Sequence, residues 1–149
     1  MWQLETKTFE KLSNLELYQI LKLRQDVFIL EQNCLFPEID NLDFDALHCI
    51  LKNDSNEVLA YTRLFACDKI YPGYTCIGRV VAAPASRMHG LGRKIFAYSI
   101  AEIEKHFGNY TIKIGAQAYL EKFYASFGFE KIGEPYLEDG IWHIYMIKA

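Results

Sequence analysis

The sequence predicts one α/β domain over residues 1–149, built on a mixed central sheet with helices on both faces. Three observations carry this. Strand-like segments alternate with two long helix-like segments. In the middle of the chain, strands follow one another across short polar turns, as antiparallel neighbours do. No repeat, low-complexity tract or Pro/Gly/Ser-rich linker divides the 149 residues, a length ordinary for one domain.

The elements follow in order. Residues 2–9 alternate, with Trp2 and Leu4 on one side, and read as a first strand. Ser13 followed by Glu16 is a capping box. Leu15, Leu17, Tyr18, Leu21, Arg24, Val27 and Phe28 then recur at helical spacing, so an amphipathic helix runs to about Gln32. A loop spans 33–45. Residues 48–52 and 58–67 are two strands joined by Asn53-Asp54-Ser55-Asn56. After the Pro72-Gly73 turn, residues 75–83 form a nearly continuous apolar run, read as a strand buried on both faces, and Pro84 stops it. Residues 88–107 form a second helix with Phe96, Ile100, Ile103 and Phe107 on its inner face and Gly108 as its stop. Residues 110–114 are a strand, 118–127 a short helix, and 129–132 and 141–147 two last strands around Glu138-Asp139-Gly140.

Composition excludes several functions. Lys and Arg number 16 against 19 Asp and Glu, a net charge of −3, which argues against nucleic-acid binding. No apolar run reaches the roughly 18 residues of a membrane span. Met1-Trp2-Gln3-Leu4-Glu5 has no basic region leading into an apolar one, so the chain is expected in the cytoplasm. Cys34, Cys49, Cys67 and Cys76 form no Cys-x-x-Cys pair and have no zinc-type spacing to histidine; free thiols and no metal are expected. The charge is also segregated. Residues 25–51 hold no Lys or Arg, and residues 69–101 no Asp or Glu. Two solvated surfaces of opposite sign explain this, as would a protein joining an anionic to a cationic ligand.

The chemistry concentrates in Arg87-Met88-His89-Gly90-Leu91-Gly92-Arg93-Lys94, where a buried strand runs through a turn into a helix. The first helical turn leaves about four N–H groups without internal partners, at the positive end of the macrodipole. A phosphate there accepts several hydrogen bonds at once. Gly90 and Gly92 let it approach the backbone, and Arg87, Arg93 and Lys94 add charge. No Gly-Lys-Ser/Thr follows, so this is not a Walker loop.

These residues resemble a known family. Arg87 to Gly92 fit the Arg/Gln-x-x-Gly-x-Gly/Ala signature of the GCN5-related N-acetyltransferases (GNAT), whose loop holds the diphosphate of acetyl-coenzyme A. Phe123-Tyr124-Ala125-Ser126-Phe127-Gly128-Phe129 resembles the family's second signature. Val27-Phe28-Ile29-Leu30-Glu31-Gln32, residues 115–118 (Gly-Ala-Gln-Ala) and residues 138–143 resemble its ElaA-like branch. The resemblance implies a mostly antiparallel acyl-CoA N-acyltransferase sheet and acetyl transfer from acetyl-CoA to a primary amine of a small molecule or peptide. Direct attack in a ternary complex is favoured over an acetyl-cysteine at Cys49 or Cys76.

It also implies roles. The strand ending at Ala83 splays from the next, exposing the backbone of Val80, Val81 and Ala82 to the pantetheine arm, and an N–H near Val80 or Val81 meets the thioester oxygen. Residues 87–94 hold the diphosphate. Tyr124 lies against the coenzyme as the general acid. His143, Glu31, Asp40 and His48 are candidate general bases, with Glu31 able instead to hold a cationic amine. Arg79, inside an apolar strand, needs a carboxylate such as Asp40 or Glu31, or one from a substrate. A non-catalytic acyl-CoA-binding domain and an unrelated phosphate-binding protein are the alternatives. The acceptor and the oligomeric state, a homodimer included, stay open.

Overall fold

A computed structural model describes residues 1–149 and places seven strands in one sheet of order β1-β2-β3-β4-β5-β7-β6. The strands are β1 (Gln3–Thr8), β2 (Leu47–Lys52), β3 (Val58–Phe65), β4 (Thr75–Ala82), β5 (Ile112–Gln117), β6 (Glu130–Glu138) and β7 (Ile141–Lys148). Only the β4–β5 pair is parallel. Helix α1 (Asn14–Arg24) covers one face; α2 (Leu91–Phe107) and α3 (Glu121–Ala125) cover the other. The mixed, helix-flanked sheet is the architecture that the strand and helix pattern predicts.

Local chemistry explains each start and stop. At α1, the Glu16 amide donates to Ser13 Oγ (3.0 Å) and the Ser13 amide to Glu16 Oε1 (2.8 Å), the reciprocal capping box. The α-helix ends at Arg24, earlier than the spacing predicts, and continues as a π-helical segment over Gln25–Glu31. Its buried face also differs from the predicted stripe. Val27 of that stripe is buried, but so are Ile20 and Leu23 outside it, while Leu15 is 61% and Tyr18 70% exposed. The reason is electrostatic: Glu16 and Arg24 both face inward to meet buried partners, and they fix the helix's rotation.

Helix α2 begins at Leu91, not near Met88. A 3₁₀ turn (Pro84–His89) precedes it, and Gly90, at φ +69°, turns the chain from one into the other. Its face Phe96, Ile100, Ile103, Phe107 packs on the sheet as its spacing predicts. Strand β5 sits two to three residues later than expected. The predicted helix over 118–127 is a 3₁₀ turn followed by the short α3. Strand β6 extends to Glu138, past its predicted end at 132. Gly133 (φ +70°) and Pro135 look like breakers in sequence, but the ladder absorbs them as a register shift between Ile132 and Tyr136.

In the acidic stretch, Glu38, Asp40 and Asp43 are taken up in ion pairs within the protein. Arg24, fully buried, donates to Glu38 Oε2 (2.6 Å) and Asp43 Oδ1 (2.7 Å). Arg63 reaches Asp40 (2.6 Å) and Asp43 (3.0 Å). Arg79 reaches Glu38 (2.7 Å) and Asp40 (3.3 Å). Three guanidinium groups thus neutralise three carboxylates and tie the 33–45 loop to α1, β3 and β4. Arg79 finds Asp40, as expected, but not Glu31.

Candidate active site

Strands β4 and β5 pair only at Thr75–Ile112 and Cys76–Lys113, then separate. Opposite β3, β4 carries an extra residue: Tyr61 pairs with Val81 and Arg63 with Gly78, and Arg79 takes φ +50°. A non-glycine residue at positive φ is uncommon. The bulge turns backbone groups of β4 out of the ladder where β5 no longer covers them. A cleft of about 680 Å³ opens between the strands.

The cleft gathers much of what the sequence singles out. Val80, Val81 and Ala82 line one wall, and Arg87 and Gly92 stand at the end nearest α2. Tyr124, Glu31 and His143 line the cleft as well. The remaining loop residues sit elsewhere. Leu91 is buried in the core, so only its backbone can serve a ligand. Met88, 93% exposed, points to solvent, as do His89 and Lys94. Arg93 donates to Ser126 Oγ (3.0 Å) and lies over the Phe127 ring (4.6 Å). The start of α2 is open: no side chain caps it, and a Cβ built on Gly90 or Gly92 would meet nothing within 4 Å. An anion therefore has room at the N–H groups of the first turn, the test a diphosphate must pass.

Tyr124 packs its ring against Phe96 and Phe123, both at 5.1 Å, and its hydroxyl has no hydrogen-bond partner within the protein. Burial pushes the phenol's ionisation up, so it stays protonated. His143 donates Nδ1–H to the Ile141 carbonyl (2.8 Å), since a carbonyl can only accept. In the neutral ring that bond places the proton on Nδ1 and leaves Nε2, 3.7 Å from Glu138 Oε2, as the acceptor.

Glu31 receives both terminal nitrogens of Arg87, at 2.6 and 2.8 Å. The hydrogen bonds from Arg87 hold its carboxyl below the usual range. The pair joins the end of the π-helical segment to the loop before α2.

Two base candidates fall away. His48 is 1% exposed; its Nε2–H donates to the Asp43 carbonyl (2.9 Å), and Nδ1 accepts from the Tyr61 hydroxyl. Burial lowers its pKa, so it is a neutral structural group outside the cleft. For Asp40, burial alone would favour the acid. Hydrogen bonds from Arg63 and the Leu42 amide prevail and hold it at about 2. An ion-paired carboxylate of that kind is a poor proton acceptor at neutral pH. Cys49 is fully buried, and burial pushes the Cys76 thiol up to about 12; neither offers a thiolate.

Sequence reasoning missed two straps beside the cleft. Gln32 and Gln117 exchange amide hydrogen bonds (3.1 and 3.4 Å), and Cys34 Sγ donates to the Asp139 carbonyl (3.0 Å). Both glutamines lie in the branch-like motifs, but an amide in a motif announces no partner before the strands are paired.

Comparison with known proteins gives a consistent set of likenesses. Residues 37–149 match the family described as an acetyltransferase (GNAT) domain. A UPF0039 protein of Synechocystis is 40% identical over 93% of this chain and 90% of its own. The ElaA protein of Escherichia coli is 39% identical over 93% and 90%, and its crystal structure superposes over all of both chains with a TM-score of 0.91. The crystal structure of an acyl-CoA N-acyltransferase from Pseudomonas aeruginosa, 36% identical, superposes over all of both chains with a TM-score of 0.92.

Proposed function

The chain belongs to the GNAT acyltransferase family, in its ElaA-like branch, and we propose that it is an acetyl-CoA-dependent N-acetyltransferase in which one domain, residues 1–149, carries out direct transfer to a primary amine. One observation carries this reading. A single cleft joins an uncapped helix start, an unpaired strand edge and a protonated, partnerless phenol. Those three groups match the diphosphate, the pantetheine arm with its thioester, and the departing sulfur.

The acyl thioester supplies an activated carbonyl carbon and a sulfur leaving group. The first turn of α2, with Gly90, Gly92 and Arg87, takes the diphosphate, and Lys94 and Arg93 add positive charge from the rim. The β4 edge from Val80 to Ala82 bonds the pantetheine amides. A backbone N–H near Val80 or Val81 receives the negative charge that develops on the carbonyl oxygen. The amine nitrogen attacks the carbonyl carbon, so a C–N bond forms as the C–S bond breaks. His143 Nε2 accepts the proton leaving the nitrogen, Tyr124 gives its proton to sulfur, and solvent restores both groups.

The test has two readouts. Coenzyme A raises the melting temperature saturably and ATP does not, because a ligand bound only by the folded state stabilises it. Across a panel of amines, polyamines and peptides, acetyl-CoA releases free thiol with at least one acceptor. No stabilisation by coenzyme A contradicts the proposal.

A further inference from the structure

The Arg87–Glu31 pair is the one ion pair that links the phosphate-side loop to the acceptor-side helix end. It is bidentate, and Arg87 Nε also donates to the Ala82 carbonyl (3.2 Å), which aims the two terminal nitrogens at Glu31. Both side chains line the cleft, and both are 42% exposed, so ligands can reach them. Each is therefore engaged with the other where a ligand of the opposite charge would need it. A diphosphate carries more charge than one carboxylate and competes for the guanidinium. A protonated amine is the natural replacement partner for the carboxylate.

We infer that Glu31 and Arg87 form an exchange latch, in which the diphosphate draws Arg87 away and the freed Glu31 carboxylate then receives a cationic acceptor. This rests on the proposed function and adds to it. The acceptor arrives as an ammonium ion, Glu31 selects for that charge, and the ion gives one proton to solvent so that its nitrogen is neutral when it attacks; the two substrates assist each other's binding. Whichever binds first breaks the pair, and the second meets a partner already free. The coupling is reciprocal, as any binding linkage must be. Its size is bounded by the pair itself. An exposed pair is worth up to about 1 kcal/mol, equivalent to roughly fivefold in affinity.

Calorimetric titration of coenzyme A into four proteins decides it: wild type, Glu31→Gln, Arg87→Gln and the double variant. Glu31→Gln is expected to tighten coenzyme A by up to about fivefold in the wild-type background and to change nothing once Arg87 is gone. Unchanged or weaker binding in Glu31→Gln would mean that Arg87 keeps its partner when loaded, and overturns the latch. Equal tightening with and without Arg87 would mean only the loss of a nearby negative charge, and also overturns it. With the most active amine of the acceptor panel, the latch further requires that Glu31→Gln lower the coenzyme KM while raising that of the amine; movement in the same direction refutes it. Failure of the wild type to bind coenzyme A would count against the proposed function, whereas binding without this double-variant pattern would count against the latch alone.

Discussion

Replacing Tyr124 by Phe separates chemistry from packing, because the structure divides the two cleanly. The ring sits in an aromatic cluster, 5.1 Å from Phe96 and Phe123 and 6.4 Å from Phe129. Phe keeps all of those contacts. The hydroxyl bonds nothing in the protein, so its loss orphans no donor or acceptor. Stability should therefore stay within about 0.5 kcal/mol of wild type. Tyr124→Ala would instead lose about 3–5 kcal/mol to the cavity and report little about catalysis. A positioned general acid contributes on the order of 100- to 10,000-fold, so Tyr124→Phe should lower turnover at least tenfold. Free-thiol release measures the rate, calorimetric titration the coenzyme affinity, and a thermal melt the fold. The expected combination is slow turnover with unchanged affinity and melting temperature. Unchanged turnover would remove the assigned role. A wild-type protein that binds coenzyme A yet releases no thiol with any amine would favour a non-catalytic acyl-CoA-binding domain.

Three further outcomes follow. Arg24→Met breaks a buried ion-pair network; such losses cost roughly 3–5 kcal/mol. Glu38 keeps Arg79 and Asp43 keeps Arg63, so urea denaturation should read near the lower end, about 3 kcal/mol. Glu16 sets part of the acid limit. Burial alone would raise its pKa, but hydrogen bonds from Lys52 and Lys7 prevail and hold it at about 2. Its contribution is complete above the unfolded value of about 4.3 and fades as pH falls towards 2; Glu16→Gln should lower stability at neutral pH and flatten that part of the acid-denaturation profile. His143→Gln should slow thiol release at least tenfold and leave coenzyme A affinity within about twofold; an unaffected rate would place the base elsewhere.

Patterns with a short period were legible in the sequence. The Ser13–Glu16 box, the inner face of α2 and the paired glycines before it report local geometry, and local geometry needs no tertiary context. The misreadings share a cause. Leu15 and Tyr18 share the spacing of Arg24 and look like core with it, but only Arg24 is buried, where the 33–45 loop folds back and brings Glu38 and Asp43 to it. Met88 and Leu91 lie three residues apart in one motif. The left-handed Gly90 between them turns one to solvent and the other to the core. The candidate site followed the same division. The β4 edge and the helix start could be anticipated from motif order. The Arg87–Glu31 and Gln32–Gln117 contacts join residues 56 and 85 positions apart, and no pattern within one strand or helix encodes such a pairing.

The open amino end of α2 underlies every step of this account, and a crystal structure of the protein with coenzyme A bound tests it most directly. The diphosphate should lie within hydrogen-bonding distance of the backbone N–H groups around Gly90 to Gly92, with the pantetheine arm along Val80 to Ala82 and its sulfur beside the Tyr124 hydroxyl. A diphosphate seated elsewhere, with that helix end bare or Arg87 covering it, would contradict the account.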